Sequence, residues 1–386
     1  MNLNAAVRYD VNLNLKQIIQ GMIPLGELII TEEMIAAAVK VLREDDLLFG
    51  DAVTKFEHEF ANYCGVDHAI TVGSGTDALI FSLLAVGIKG KHVITTPMSY
   101  IATANAAFHA GGKPIFCDVD EHTNNLDANL VEAYLKKDKK VGAIIPVHLH
   151  GYPADMNRFM EIAEKKDIVI IEDACQAHGA EYFKKKTGAI GHIGCFSLNP
   201  MKNMTCGGEG GMITTNDEKI AKIVRMLVDS GRENPYTHEH KIIGFSSRIN
   251  TVNAAIGRIQ LKYNDQWNEM RRNAANEYRK QLNGIKEIAL PPEETQNITS
   301  AYNKFAIKTT KRKQLQDYMT TKDIQCDAHY PNPIHLQPPY KKLGYKKGDY
   351  QLAEKFADTN LAIPIFPHIT KREIDEVCSA IYEFFA

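Results

Sequence analysis

The chain has no Cys-x-x-Cys pair; its seven cysteines (Cys64, Cys117, Cys175, Cys195, Cys206, Cys326 and Cys378) are odd in number and scattered. This excludes a disulfide framework and reads as reduced thiols in a cytoplasmic protein. No apolar run approaches the ~18 residues that a membrane span requires. The opening Met1-Asn2-Leu3-Asn4-Ala5 lacks a basic region followed by an apolar one, so no signal peptide is expected. An excess of one charge is missing too. Lys plus Arg (45) nearly balance Asp plus Glu (47), so neither nucleic acid nor an anionic membrane is expected as a partner. His148-x-His150 and His238-x-His240 have no cysteine or third histidine at a zinc-site spacing, so no metal is expected. There are no internal repeats and no low-complexity tracts. What is present is ordinary for a soluble globular protein: 44% hydrophobic and 24% charged residues over 386 positions, room for two domains.

Short β-branched runs alternate with helical patterns through the first two thirds of the chain. Strands are expected at His68–Val72, His92–Thr95, Pro114–Cys117, Gly142–Val147, Ile168–Glu172, Gly194–Ser197 and Gly211–Thr214. Helical stretches fall between them at Thr76–Val86, Thr103–Ala110, Leu126–Leu135 and Met156–Lys165. That alternation predicts an α/β fold with a mostly parallel sheet and helices on both faces. Near-continuous apolar strands such as Ile168–Ile171 fit burial on both sides. The character changes after about residue 262, where a charged helical stretch (Asn264–Asn283) leads to the turn-rich Pro291-Pro292-Glu293-Glu294. Residues 1–262 are therefore expected to form an N-terminal segment and a large domain, and 263–386 a small C-terminal domain ending in the amphipathic Lys371–Phe385. The opening residues read as a flexible tail followed by a helix at Glu32–Glu44, which is expected to join the small domain.

Three constellations carry chemistry. Gly73-Ser74-Gly75-Thr76-Asp77-Ala78 follows a strand and opens a helix, where glycines let backbone N–H groups approach a phosphate. The string also fits the dinucleotide fingerprint, but that needs an acid about 20 residues on, at the end of the next strand. The next strand ends Ile94-Thr95-Thr96-Pro97, without an acid, so a monophosphate cradle or a plain βα turn remains. Asp173 closes a buried strand, where open α/β sheets place their ligands. A carboxylate there holds a pyridine nitrogen protonated; taken alone it equally caps the following loop. Gln176 is placed to donate to a phenolic oxygen of the same ring, or is a solvated loop amide. Lys202 lies between the run Gly194–Leu198 and the glycine-rich Gly207–Gly211. An acid at a strand end followed by such a lysine suits an aldehyde cofactor held as a Schiff base, the signature of a pyridoxal phosphate enzyme. Ser197 is a candidate hydroxyl donor to the phosphate, and Tyr100 either stacks on the ring or is an ordinary core tyrosine.

Taken in order, Gly73-Ser74-Gly75-Thr76-Asp77-Ala78-Leu79, Glu172-Asp173-Ala174-Cys175-Gln176-Ala177-His178-Gly179-Ala180 and Ser197-x4-Lys202-Asn203 resemble the DegT/StrS group of nucleotide-sugar aminotransferases. Leu48-Phe49-Gly50, Gly244-Phe245-Ser246-Ser247-Arg248 and His329-Tyr330-Pro331-x-Pro333-x-His335-Leu336-Gln337 extend the resemblance. It covers nearly the whole chain from about residue 23. It implies the fold type I aminotransferase architecture and a homodimer with active sites at the subunit interface. It implies pyridoxal 5′-phosphate on Lys202, with Asp173 at the ring nitrogen, Gln176 at the phenolic oxygen and Tyr100 stacked on the ring. Gly75, Thr76 and Ser197 would hold the phosphate. Relatives reach the partner's phosphate with an asparagine where this chain has Ser246, which is shorter.

The resemblance further implies transfer of an amino group from an amino acid, L-glutamate by analogy, to a nucleotide-linked keto-sugar. The length of the glycine loop and the His-Tyr-Pro string lean towards amination at C-3. Arg248 is the candidate for the donor carboxylate; Tyr236, His240, His329 and His335 are candidates for the sugar side, and each is also compatible with a structural or exposed role. One branch of the group becomes a dehydratase by replacing the lysine with histidine, and Lys202 speaks against that branch. A cyclitol ketone as acceptor, or a non-catalytic regulator on the same fold, are the competing readings.

Overall fold

The computed structural model describes residues 21–48 and 50–386. The expected N-terminal tail, and Phe49 of the Leu48-Phe49-Gly50 string, lie outside them.

Seven strands form the central sheet: β1 (His68–Val72), β2 (His92–Thr95), β3 (Lys113–Phe116), β4 (Val141–Ile145), β5 (Val169–Asp173), β8 (Ile193–Ser197) and β9 (Gly211–Thr215). The pairs β6 (Glu181–Tyr182) and β7 (Lys185–Lys186) belong to a small separate sheet with β10 (Ile298–Thr299). The order is β1-β9-β8-β5-β4-β2-β3, and β9 alone runs against the others. The sequence placed all seven within one or two residues at each end. The reversal at β9 follows from the connection between Ser197 and Gly211, which contains no helix to carry a parallel crossover, so the two strands pair directly from Ser197 and Gly211.

Helices cover both faces, as the parallel strands require. On one side α3 (Gly75–Ala85), α4 (Ala102–His109) and α7 (Glu218–Val228) bury Leu79, Phe81, Leu83 and Leu227 against Ile171 and Ile213. On the other, α2 (Asp51–Cys64) packs Phe56 and Phe60 on Phe196, while α5 (Ala128–Leu135) and α6 (Met156–Lys166) bury Leu135 and Phe159.

Helix α1 (Glu32–Glu44) packs against α8 (Thr251–Leu282), with Met34 in a cluster with Ile259 and Trp267. The change of character expected at residue 262 falls inside this 32-residue helix, which begins on the first sheet and ends in a second core. There Tyr278 and Leu282 meet Phe305, Leu315, Ile363, Val377 and Ile381, built on β11 (Phe305–Lys308) paired antiparallel with β12 (Asn360–Ile363). Two further helices close this core: α9 (Arg312–Thr321) and α12 (Lys371–Phe385), which comes after α10 (Pro338–Lys341) and α11 (Gln351–Thr359). A capping box fixes the start of α12: the Thr370 hydroxyl accepts from Glu373 N–H, and the Glu373 carboxylate accepts from Thr370 N–H at 2.7 Å. Ile23, from the N-terminal segment, joins this second core and bridges to Ile324.

Candidate active site

Two strand ends and one strand–helix turn converge where the parallel strands finish. The C-terminal ends of β5 and β8 lie side by side, with Asp173 paired to Cys195, and the β1–α3 turn closes over them. They bound a cavity of about 420 Å³ whose walls include Gly75, Thr76, Tyr100, Asp173, Gln176, Ser197 and Lys202, all expected cofactor residues. It stands where open α/β sheets bind ligands.

Asp173 is buried, 5% exposed, and its carboxylate is fixed from two sides. Thr103 Oγ1 donates to Oδ2 at 2.7 Å and Cys175 N–H donates to Oδ1 at 3.2 Å. Since the Thr103 proton goes to Asp173, the 2.9 Å contact between Ser99 Oγ and Thr103 Oγ1 is a donation from Ser99. Glu172 next to it points to the opposite face of the strand, as alternation demands. It accepts from Gly188, Ile190 and Gly191 N–H and from His148 Nε2. His148 Nδ1 accepts from Ala154 N–H, so the imidazole proton is on Nε2. Asp173 is thus free to serve the cavity while Glu172 secures the strand end.

Gln176 is oriented by its backbone surroundings. Its Oε1 accepts from His150 N–H at 2.8 Å, which leaves Nε2 as a donor facing the cavity and the Tyr330 hydroxyl at 3.3 Å. Tyr100, 56% exposed at the mouth, faces Tyr330 with ring centroids 6.0 Å apart.

At the other end of the cavity, α3 begins. Ser74 caps it by accepting from Asp77 N–H at 3.1 Å, and the N–H groups of Gly75 and Thr76 precede any helical acceptor. Gly75 permits the close approach of β8: a Cβ there would stand 2.7 Å from Ser197 Cβ. Gly211 does the same for β9, since its Cβ would meet Ser74 O at 2.4 Å. Ser247 accepts from Gly73 N–H and donates to Asp77, tying the turn to the segment that carries Ser246.

Lys202 ends the turn Asn199–Lys202, and its neighbour Asn203 is fully engaged. Asn203 Nδ2 donates to Ala301 O and Asn268 Oδ1, and its Oδ1 accepts from Asn303 Nδ2. The lysine is thereby mounted on a buried amide network that reaches α8 and the segment before β11.

The donor set fits pyridoxal phosphate. A strand-end carboxylate suits a pyridine nitrogen, the Gln176 amide a phenolic oxygen, a helix N-terminus with Ser197 a phosphate, and Lys202 an aldehyde. Among the described residues no group of three His, Cys, Asp or Glu is arranged to hold a metal.

The chain does not bring every candidate to this cavity. His329 lines it, and its imidazole is held near 4, first by burial and then by Lys304. His335 does not: it is buried, with Nε2 3.0 Å from Glu354, and belongs to the scaffold. Arg248 lines a separate cavity of about 310 Å³ with Tyr236 and is paired with Asp229. His240 is exposed, with Nδ1 2.8 Å from Ser230 O, and Ser246 is exposed as well. Thr103, Ser99, Tyr330 and Lys304 were not given roles from the sequence. Thr103 read as an ordinary helix residue, and Lys304 as one lysine among many.

Residues 28–382 match the DegT/DnrJ/EryC1/StrS aminotransferase family. The chain belongs to that family. It is 37% identical over 350 residues, 90% of its own length and 91% of the relative's, to the dTDP-3-amino-3,4,6-trideoxy-alpha-D-glucose transaminase of Streptomyces venezuelae. It is also 37% identical over 355 residues, 92% of its length and 94% of the relative's, to a pleiotropic regulatory protein of Geobacillus stearothermophilus. The crystal structure of S. venezuelae DesV in complex with a ketimine intermediate superposes with a TM-score of 0.91 at 35% identity, covering 94% of this chain and 98% of that one. The fold is that of the DegT-family pyridoxal phosphate aminotransferases, and the protein is a pyridoxal phosphate-dependent aminotransferase. The non-catalytic reading is set aside accordingly. No helix among the described residues is long and apolar enough to cross a membrane.

Proposed function

We propose that this aminotransferase transfers an amino group from L-glutamate to C-3 of a nucleotide-linked keto-sugar, in amino-sugar biosynthesis. The observation that carries the site assignment is the convergence of Lys202, Asp173, Gln176 and the α3 N-terminus on one cavity. The sugar acceptor and the C-3 position are supported by the S. venezuelae relative, whose product carries its amine at C-3.

When bound, pyridoxal phosphate supplies an electron sink for the carbon from which a proton leaves. Lys202 Nζ would hold the cofactor's aldehyde carbon, and its amine is the general base for the proton on the donor's Cα. Asp173, fixed by Thr103, would keep the ring nitrogen protonated. Gln176 Nε2 donates to the phenolic oxygen, and Gly75 N–H, Thr76 N–H and Ser197 Oγ hold the phosphate. Tyr100 covers one face of the ring at the mouth, and His329 lines the acceptor's side.

The protein acts as a homodimer in the cytoplasm. Exposed apolar residues near the cavity and on the Asp229–Arg248 segment support the dimer, among them Met201 (67%), Tyr236 (86%) and Ile243 (93%). This segment, with Tyr236, His240, Ser246 and Arg248, is assigned to the partner's site. The seven free thiols support a reducing compartment.

The experiment is product analysis by NMR with dTDP- and UDP-linked 3-keto and 4-keto hexoses and a cyclitol ketone as acceptors. Amine at C-3 of a nucleotide sugar is the expected result. Turnover confined to the cyclitol, or loss of water without amine transfer, contradicts it.

A further inference from the structure

The cavity holds more positive charge than the reaction assigned to it uses. Lys304 lines it beside Lys202 and His329, is only 8% exposed, and forms no ion pair with any carboxylate among the described residues. Arg271, whose charge acts on Lys304, is 7% exposed, and its Nη1 is buried without a hydrogen-bond partner. An ammonium taken out of water without a partner is costly, so a residue of this kind marks a place where an anion arrives. Burial, then Lys202 and Arg271, lower the Lys304 ammonium to about 8 against a smaller opposing pull from Asp327, so it is still mostly charged near neutral pH. The imidazoles around it carry no such charge: burial holds His178 and His150 near 3 and His329 near 4.

Its place in the wall narrows the choice of anion. The N–H groups of Asn303 and Lys304 both donate to the His150 carbonyl, and His150 N–H in turn donates to Gln176. Lys304 therefore belongs to the Gln176–His329 wall. The phosphate cradle is built from other elements, the α3 N-terminus and the end of β8. Asn303 Nδ2 also donates to Asn203, next to Lys202, which sets the two lysines in one framework. Arg248, the arginine first considered for a substrate carboxylate, is already paired with Asp229, whereas Lys304 has no such carboxylate partner among the described residues.

We infer that Lys304 binds a carboxylate of the amino-acid donor. This rests on the aminotransferase reading and adds to it the residue that selects an acidic donor.

The test uses the holoenzyme and glutarate, a five-carbon dicarboxylate that has no amino group and cannot react. Its dissociation constant is measured by calorimetry for the wild type, Lys304→Met and Lys304→Arg. Glutarate binding weakened roughly 10–100-fold in Lys304→Met and restored to within a few-fold in Lys304→Arg is the expected result. Equal binding by the wild type and Lys304→Met, or no binding by the wild type, overturns the inference. Loss of the cofactor itself from Lys304→Met also overturns it, since Lys304 would then serve the cofactor. These readouts involve no turnover, so they are separate from failure of the product analysis, which would fall on the function instead.

Discussion

Thr103 Oγ1 donates a 2.7 Å hydrogen bond to Asp173 Oδ2, from a helix on one side of the cavity to a strand end on the other. The bond fixes the plane of the carboxylate we assign to the ring nitrogen, and Ser99 supports it from behind. Hydrogen bonds to charged groups contribute about 1.5–3 kcal/mol. Thr103→Val keeps the shape and removes the donor, so kcat should fall roughly 10–100-fold with cofactor still bound. Steady-state kinetics at saturating cofactor check this; an unchanged kcat would leave Thr103 with a packing role only.

Removing the carboxylate itself should cost far more. Asp173→Ala is expected to retain cofactor through Lys202 and the phosphate cradle, yet lose turnover on the order of 10³-fold. Turnover near the wild-type rate, with cofactor content confirmed by absorbance, would remove Asp173 from its assigned role.

Gly75→Ala tests the phosphate end. Its Cβ would come within 2.7 Å of Ser197 Cβ, both belonging to short, backbone-anchored positions that cannot swing away. Overpacking of this kind costs about 1–3 kcal/mol. Cofactor affinity should drop about tenfold or more, read from fluorescence titration of the apoenzyme. An unchanged affinity would mean that the phosphate is held elsewhere.

These positions differ in how plainly the sequence announced them. The strand ends bearing Asp173 and Ser197, and the turn at Gly75, were legible because alternation of apolar strands and helices fixes where parallel strands finish. Helix α8 was legible only in its charged second half, Asn264–Asn283. Its first half carries small and apolar residues that pack on Phe56 and Met34, so it lacks the polar face that marks a surface helix. Thr103 and Lys304 were invisible for a different reason. Each gains its meaning from a partner far away in the chain, Asp173 for one and Lys202 for the other. His335 misled in the opposite direction: the string around it suggested a site residue, while Glu354, brought in from α11, makes it part of the core.

His178 gives a prediction for pH. It is 1% exposed, and burial, then the charges of Lys202 and Arg271, lower its imidazole to about 3. An unfolded histidine titrates near ~6.5, so between the two values the unfolded chain binds one more proton than the folded one. Stability should therefore fall as pH drops from about 6.5 towards 3, by up to roughly 1.4 kcal/mol per pH unit from this group. Urea unfolding of the wild type and His178→Asn across that range checks it. The mutant should show a shallower slope by about one proton, and parallel slopes would place His178 in a hydrated environment.

The most direct measurement is the visible absorption spectrum of the purified protein, supplied with pyridoxal phosphate, before and after L-glutamate, alongside Lys202→Ala. The predicted result is a visible band in the wild type that collapses when glutamate is added and is missing from the mutant. A band in the wild type that ignores glutamate would contradict the donor. The same band in Lys202→Ala, or none in either protein, would contradict the claim that Lys202 carries the cofactor.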